Sequence, residues 1–476
     1  MQTKRTHWLT AAALVLGTAL AGAMARGNAT HDEPRRVIPG GSAGAVSFRG
    51  ALDRTAVLQG RDGTARMELV ISAAESAASD SNRKPTDLLI VLDRSGSMSG
   101  EKIEHARASV RELVSQLRPQ DRFSLVSYAS DASVDLALQP LADGNRDAIH
   151  HAVARVVPAG GTNMSSGLDL AFGVLEGNRN AERVPHVILI SDGLANEGDA
   201  SPQGLMERAR RAARGEYMLS AIGVGVDFNE YLMTAMADAG TGNYYFVHHT
   251  EDLANVFARE FDAARGTVAS GLAIHVRPAP GVRVTDAAGY PLESQGGEVV
   301  VRPGSLFAGQ ERRIWLTLAM PNDELGEHEV GEFSLRFSSG PDRHRLALAD
   351  VPRIACVAAE TDFYSKLDRD AWERSVAVDE YNAMQEKVAR EVKAGNRKEA
   401  LDILGSFRGR VGELNRHVAS APVAEKLEAT TGLEQEVRDA FEGDDQARAA
   451  KQNLLSKSRS ADALDGRRVG AKKEAK

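Results

Sequence analysis

The stretch that decides the fold runs from Asp87 to Gly100 and reads Asp-Leu-Leu-Ile-Val-Leu-Asp-Arg-Ser-Gly-Ser-Met-Ser-Gly. Its apolar run, Leu88 to Leu92, is followed at once by polar side chains at alternate positions, Asp93, Ser95 and Ser97. A short, continuous apolar run bounded by turn residues predicts a strand that is buried on both faces of a parallel sheet. The polar cluster is therefore expected at the carboxyl end of a central strand, which is the edge where open α/β sheets bind ligands.

Residues 87–264 repeat this pattern of a buried strand followed by a helix. Apolar side chains recur at helical spacing over residues 102–117, directly after the first strand. Further strands are expected at residues 123–128, 134–141, 184–190, 218–226 and 244–247, and further helices at residues 146–156, 164–175, 205–214, 230–239 and 253–264. The alternation predicts an α/β fold, a doubly wound and mostly parallel sheet with helices on both faces and one antiparallel edge hairpin.

The segments on either side of this unit have the period of β-strands. Residues 268–357 alternate apolar and polar side chains, for example at Leu272, Ile274 and Val276, and Gly/Pro turns separate about six such runs, which predicts a β-sandwich. Residues 37–86 contain two more alternating runs but too few strands for a sheet of their own. We expect these strands to join the sandwich, so that the α/β unit is inserted between strands of one sandwich.

The carboxyl-terminal part of the chain has the period of helices. Apolar stripes within residues 377–392 and 400–414, and a weaker one within residues 427–441, predict an antiparallel three-helix unit in a helical region at residues 361–457. Residues 458–476 are small, charged and basic, and are predicted to be disordered.

The amino terminus has the features of a secretory signal peptide. Lys4 and Arg5 form a basic start, Leu9 to Ala23 is apolar, and Ala23-Met24-Ala25 is a small-residue cleavage site. The alternative is an uncleaved membrane anchor, because the apolar run is just long enough to span a bilayer. Residues 1–25 are therefore predicted to direct export to the periplasm, the cell envelope or the medium, and no later stretch is apolar enough to span a membrane.

The charge and the cysteine content narrow the classes of function. The net charge of −8 becomes −10 once Lys4 and Arg5 are removed, which is the wrong sign for a nucleic-acid-binding protein. The single cysteine, Cys356, excludes an intrachain disulfide and lies in a strand-like apolar run, where we expect it to be buried. Stability must therefore come from packed cores or from bound metal.

Two further positions complete a possible metal site. Thr162 follows a Gly-Gly turn, and Asp192 ends the strand at residues 184–190 as Asp93 ends its own strand. In a doubly wound sheet whose strand order reverses beside the first strand, these two strand ends are neighbours. Two carboxylates and three hydroxyls suit a hard divalent cation, Mg²⁺ best, with Mn²⁺ or Ca²⁺ possible. The alternative is that the five side chains serve only as turn and cap residues.

Together these residues resemble the metal-ion-dependent adhesion site of von Willebrand factor type A domains. The resemblance rests on Asp93-x-Ser95-x-Ser97, on Thr162 in Gly-Gly-Thr and on Asp192 in Ser-Asp-Gly, and it covers about residues 87–264. It implies direct metal contact from the two serines, direct or switchable contact from Thr162, and largely water-mediated contact from the two aspartates. It also implies that an open coordination position of the metal takes a Glu or Asp carboxylate from a partner protein.

The wider arrangement is similar to bacterial secreted proteins of this family, which resemble calcium-activated chloride channel-like and inter-α-trypsin inhibitor heavy chain-like proteins. The favoured function is an exported, non-enzymatic adhesion module that recognises an acidic residue of a partner protein through a bound divalent cation. Two alternatives are a metal-dependent hydrolase and a structural protein of cell-envelope assembly whose metal site is not essential. The resemblance also implies that the metal site couples to movement of the helix at residues 253–264.

Other chemistries lack a residue that they require. Ser95 stands where a phosphatase with an aspartyl nucleophile needs a second aspartate, and Met98 stands where a nucleophile elbow needs serine. Phe228 occupies the third glycine position of a dinucleotide-binding fingerprint. These absences favour the binding function over catalysis.

Overall fold

The computed structural model describes residues 37–468, apart from residues 75–83, 142–144, 181, 226–227, 248–252, 254, 257–266 and 340–341. The predicted signal peptide and most of the helix predicted at residues 253–264 lie outside the described residues. In the part of the chain that is described, no helix combines the length and the apolar character that crossing a membrane requires.

The amino-terminal strands and the α/β unit come first along the chain. Four strands precede the α/β unit: β1 (Ile38–Ala43), β2 (Val46–Leu52), β3 (Ala56–Leu58) and β4 (Thr64–Ala73). The strands of the unit are β5 (Thr86–Asp93), β6 (Arg122–Tyr128), β7 (Ala132–Pro140), β8 (Val184–Ser191), β9 (Met218–Val224) and β10 (Thr241–Val247). Its described helices are α1 (Glu101–Gln116), α2 (Arg146–Arg155), α3 (Met164–Glu176), α4 (Pro202–Arg214) and α5 (Glu230–Ala239).

The sheet of the α/β unit has the order β10-β9-β8-β5-β6-β7, and only the edge strand β7 runs antiparallel to its neighbour. Alternate residues of β5 enter two different cores. Leu88, Ile90 and Leu92 pack with α1 and α2, whereas Leu89 and Val91 pack with α3, α4 and α5. The predicted doubly wound sheet is confirmed, and its order reverses beside β5, so that β5 and β8 are neighbours.

The β-sandwich is assembled from both sides of this insertion. Its remaining strands are β11 (Thr267–Pro278), β12 (Arg283–Ala287), β13 (Glu293–Gln295), β14 (Glu298–Phe307), β15 (Glu311–Ala319), β16 (Gly326–Glu329), β17 (Gly331–Ser339), β18 (Asp342–Ala347) and β19 (Arg353–Val357). Two five-stranded sheets, β1-β2-β4-β15-β12 and β13-β14-β11-β17-β18, enclose one core, and β3 pairs with β19 in a small third sheet. Strand β4 pairs with β15 from Thr64 to Ser72. The predicted insertion of the α/β unit into a sandwich is therefore confirmed.

The carboxyl-terminal region contains more helix than the sequence indicated. Its helices are α6 (Glu360–Ser365), α7 (Arg369–Arg374), α8 (Tyr381–Lys393), α9 (Arg397–Val418), α10 (Ala421–Ala440) and α11 (Asp445–Arg468), and a π-helical turn at Ser375–Glu380 joins α7 to α8. The three predicted helices are present as α8, α9 and α10, but three more helices accompany them. The disorder predicted from Ser458 is wrong as far as Arg468, where the described residues end. Helix α11 continues to Arg468 because small side chains let it pack closely on α8, as at Gly466, where a Cβ would lie 2.4 Å from Asn382. The guanidinium of Arg467 is neutralised by Asp379 at 2.9 Å.

The helical region also contacts the α/β unit beside the carboxyl edge of its sheet. Glu230, the first residue of α5, is buried and accepts hydrogen bonds of 2.6 and 2.7 Å from Nζ of Lys393. The buried ammonium of Lys457 donates to the carbonyl of Phe228 at 2.5 Å and lies 3.9 Å from the centroid of the Phe228 ring. The connection from β9 to α5 is thus held by two lysines of the helical region.

Candidate metal centre

The loop after β5 folds around its own aspartate. Asp93 is fully buried, and its Oδ1 accepts a hydrogen bond from the backbone N–H of Ser95 at 2.8 Å. The chain then makes one 3₁₀ turn, from Gly96 to Met98, and the buried Met98 side chain anchors that turn in the core. This path places the hydroxyls of Ser95 and Ser97 3.0 Å apart at the carboxyl edge of the sheet.

Asp192 reaches the same cluster from the end of β8. Its Oδ1 accepts a hydrogen bond from the hydroxyl of Ser97 at 2.7 Å. Ser191, one residue earlier, donates its hydroxyl to Oδ2 of Asp93 at 2.7 Å. Each of the two aspartates therefore accepts a hydrogen bond from a serine that lies at or just beyond the end of the other strand. This is expected for neighbouring strands at a point where the strand order reverses.

Thr162 enters from a third loop, the Gly-Gly turn before α3. The side-chain Oδ1 of Asn196 accepts from the N–H of Thr162 at 2.9 Å, and the N–H of Asn196 donates to the carbonyl of Thr162 at 3.1 Å. A Cβ on Gly193 would lie 3.7 Å from the Thr162 hydroxyl and 3.4 Å from the Ser97 hydroxyl, so both hydroxyls border the same small space. The structure thus brings all five predicted side chains, Asp93, Ser95, Ser97, Thr162 and Asp192, to one place.

Several neighbours of the cluster are not evident from the sequence. Lys102, in the first turn of α1, donates to Oδ2 of Asp192 at 2.5 Å. Tyr128, at the end of β6, donates to Oδ2 of Asp93 at 3.3 Å. Ser130 and Asn196 hold the turn that carries Thr162. A signal for Tyr128 and Ser191 was present, since each stands at the end of a strand beside β5, but residue type alone did not distinguish them from core residues.

A comparison with known families identifies this unit. The family profile of the von Willebrand factor type A domain matches residues 87–259, the segment that carries the sheet and all five site residues. Residues 87–259 are a von Willebrand factor type A domain. Such domains are generally protein-interaction and adhesion modules.

Two relatives of this chain match it over very different lengths. The protein sll0103 of Synechocystis sp. is 25% identical over 352 residues, which are 72% of this chain and 82% of the relative. Inter-alpha-trypsin inhibitor heavy chain H4 of Homo sapiens is 28% identical over 176 residues, which are 36% of this chain but only 19% of the human protein. The human relative therefore matches little more than a third of this chain.

One solved structure matches nearly the whole architecture. A von Willebrand factor type A protein from Catenulispora acidiphila superposes with a TM-score of 0.64 over 91% of this chain and 98% of its own, at 17% identity. At that identity the likeness shows a shared fold, which extends beyond the type A domain.

Burial sets the electrostatics of the type A domain site. Burial raises the pKa of Asp93, the hydrogen bonds from Ser95 and Ser191 lower it only in part, and the charge of Asp192 adds to the rise. Burial also raises the pKa of Tyr128 well above its usual value, so its hydroxyl stays protonated and can donate to Asp93. A cation beside Asp93 would favour the ionised carboxylate.

The donor set fits a hard divalent cation. Among the described residues, no three His, Cys, Asp or Glu side chains group together as a metal cluster, so a cation here would depend on two carboxylates and on neutral oxygens. The three hydroxyls of Ser95, Ser97 and Thr162 are such oxygens, and few carboxylates with neutral oxygen and water ligands are typical of Mg²⁺. Ser97 is exposed whereas the other four side chains are buried, so the site opens to solvent on the Ser97 side.

Proposed function

We propose that this is an exported protein whose type A domain binds a divalent cation, Mg²⁺ in the first place, and through it an acidic side chain of a partner protein. The observation that carries the proposal is the convergence of two buried aspartates and three hydroxyls from three loops at the carboxyl edge of the sheet. The cation would be held by Asp93, Ser95, Ser97, Thr162 and Asp192. Once bound, it would supply an electrophile for a carboxylate oxygen.

The chain's own residues would prepare the ligands and leave one side open. Ser191 and Tyr128 hold Oδ2 of Asp93, which leaves its orientation fixed before a cation arrives. Asn196 fixes the backbone of Thr162 through two hydrogen bonds, one from the N–H of Thr162 and one to its carbonyl. Supporting hydrogen bonds of this kind orient metal ligands and commonly change metal affinity ten- to a hundredfold when removed. The exposed side of the site, at Ser97, is where a partner carboxylate would approach.

Calorimetric titration of Mg²⁺ into residues 26–476 tests the cation half of the proposal. Asp192→Asn keeps the shape of the side chain but removes its charge, and we expect the affinity to fall at least tenfold. Asp147→Asn removes the same charge from an exposed position on α2 and should bind Mg²⁺ as the wild type does. Equal binding by wild type and Asp192→Asn would refute the site.

A cross-linked pull-down from cell-envelope extract tests the partner half. We expect wild type to capture a partner in the presence of Mg²⁺ and to lose it when chelator is added or Asp192→Asn is used. Capture that persists under both treatments would contradict the proposal and would support assembly through other surfaces, such as the helical region.

A further inference from the structure

Lys102 places a positive charge inside the site. Its Nζ lies 2.5 Å from Oδ2 of Asp192, while Oδ1 of the same carboxylate accepts from Ser97 at 2.7 Å. The Lys102 side chain is 30% exposed and that of Asp192 is fully buried. The lysine passes close to Gly225, where a Cβ would lie 3.8 Å from both Cε and Nζ, so the end of β9 also borders the site.

We propose that Lys102 is a charged member of the site which weakens cation binding and strengthens binding of the partner carboxylate. The inference rests on the function proposed above. The formal charges of Asp93, Asp192 and Lys102 sum to −1, so a bound divalent cation brings the sum for these three side chains and the cation to +1. Without the ammonium, the two carboxylates would neutralise the cation completely, and an incoming carboxylate would meet a neutral site.

The burial of the pair is what makes this charge effective. An exposed ion pair is screened by water and contributes little. Near a buried carboxylate the effective dielectric constant is far below that of water, so two positive charges within a few ångströms of one another repel strongly. The cation and the ammonium therefore compete for the charge of Asp192. A lysine that merely oriented Asp192 would have the opposite effect, because its removal would weaken cation binding.

Lys102→Met separates these two roles by the sign of its effect. It keeps the length of the side chain without its charge, and we expect Mg²⁺ to bind about tenfold more tightly than in wild type, measured by calorimetry. Lys102→Arg retains the charge and should remain near wild type. Lys398→Met, at an exposed position on α9, controls for the loss of one positive charge from the chain. Thermal melting in chelator verifies that each variant is folded.

Acetate serves as the probe for the carboxylate half of the inference. At saturating Mg²⁺, acetate should raise the melting temperature of wild type more than that of Lys102→Met. Mg²⁺ affinity in Lys102→Met that equals or falls below that of wild type would overturn the inference while leaving the proposed function intact. A wild-type chain that fails to bind Mg²⁺ at all would instead refute the proposed function, and the role of Lys102 with it.

Discussion

Glu380 joins the helical region to the sandwich, and its replacement gives a measurable test of the fold. The residue lies in the π-helical turn between α7 and α8 and is 3% exposed. It pairs with Arg66 of β4 and, at 2.7 Å, with Arg410 of α9. Burial, the largest influence, raises the pKa of Glu380, but the charges of Arg66, Arg410 and Arg54 and the hydrogen bond from Arg410 lower it to about 2.

The pKa gives the magnitude of the expected effect. A fall of the Glu380 pKa from its usual value of 4.5 to about 2 corresponds to about 3 kcal/mol of stability at neutral pH. Removing one partner of a buried ion pair costs about 3–5 kcal/mol in other proteins. We therefore expect Glu380→Gln to lower the free energy of unfolding by about 3 kcal/mol at pH 7.

The sign of the pH dependence follows from the direction of the shift. Because the folded-state pKa of Glu380 is lowered, its contribution is complete above about pH 4.5 and is lost as the pH falls toward about 2. The difference between wild type and Glu380→Gln should shrink through that window, to about 1 kcal/mol near pH 3. Asp379 behaves in the opposite sense, since burial raises its pKa despite the nearby charges of Arg467 and Arg66.

Urea unfolding followed by tryptophan fluorescence measures this difference. The chain has three tryptophans, and the two in the described part, Trp315 in β15 and Trp372 in α7, are buried in the two regions that Glu380 joins. Glu428→Gln, at an exposed position on α10, is the matched control and should change stability by no more than about 0.5 kcal/mol. A loss below about 1 kcal/mol at pH 7, or a loss that does not diminish at low pH, would refute the reasoning.

Two further substitutions test the site loop and the contact with the helical region. Gly160→Ala should cost about 1–2 kcal/mol of stability and weaken Mg²⁺ binding, because φ at Gly160 is +73° and the new Cβ would lie 2.8 Å from Oγ of Ser130. The loss of stability is measured by thermal melting followed by circular dichroism. The control is Gly173→Ala, at an exposed position on α3 with free space for a Cβ, which should be neutral or stabilising in these melts. Lys457→Met should cost about 2 kcal/mol in urea unfolding, because the carbonyl of Phe228 loses a buried donor; an unchanged midpoint would show that the contact adds no stability.

Much of the fold follows from the period of the apolar residues. Strand β5 is apolar without interruption because α1 and α2 cover one face and α3 to α5 the other, whereas β15 alternates because only one of its faces meets the sandwich core. The end of helix α11, from Ser458, lies beyond the predicted helical region because its packing uses Ser456, Ser460 and Ala463, small side chains that produce no apolar stripe. The basic composition of this end predicts disorder, but Arg467 is 3% exposed and meets carboxylates that lie far away in the sequence.

The positions of the metal-binding side chains could also be predicted from the sequence, but the positive charge beside them could not. Asp93 and Asp192 were recognisable because each ends an apolar strand, and sheet order then places them together. Lys102 was not recognisable, since a lysine in the first turn of a helix is ordinarily a surface residue and only the fold brings its Nζ to Asp192. The stretch from Asp87 to Gly100 thus determines the position of the site, while its charge depends on a residue two positions further on.

The helical region contacts the type A domain at the carboxyl edge of its sheet, next to the domain's own loops. The connection that follows β9 begins at Gly225, beside Lys102, and continues through Phe228 to Glu230. In the helical region, Lys457 donates to the carbonyl of Phe228 and Lys393 donates to the carboxylate of Glu230. Lys102 therefore borders, at Gly225, the same connection that α8 and α11 secure. Because burial leaves these charged contacts with little solvent screening, replacing Lys457 should alter the packing of this connection as well as global stability. A change in Mg²⁺ affinity in Lys457→Met, with Lys451→Met on the exposed side of α11 unchanged, would show that the helical region helps to set the geometry of the site.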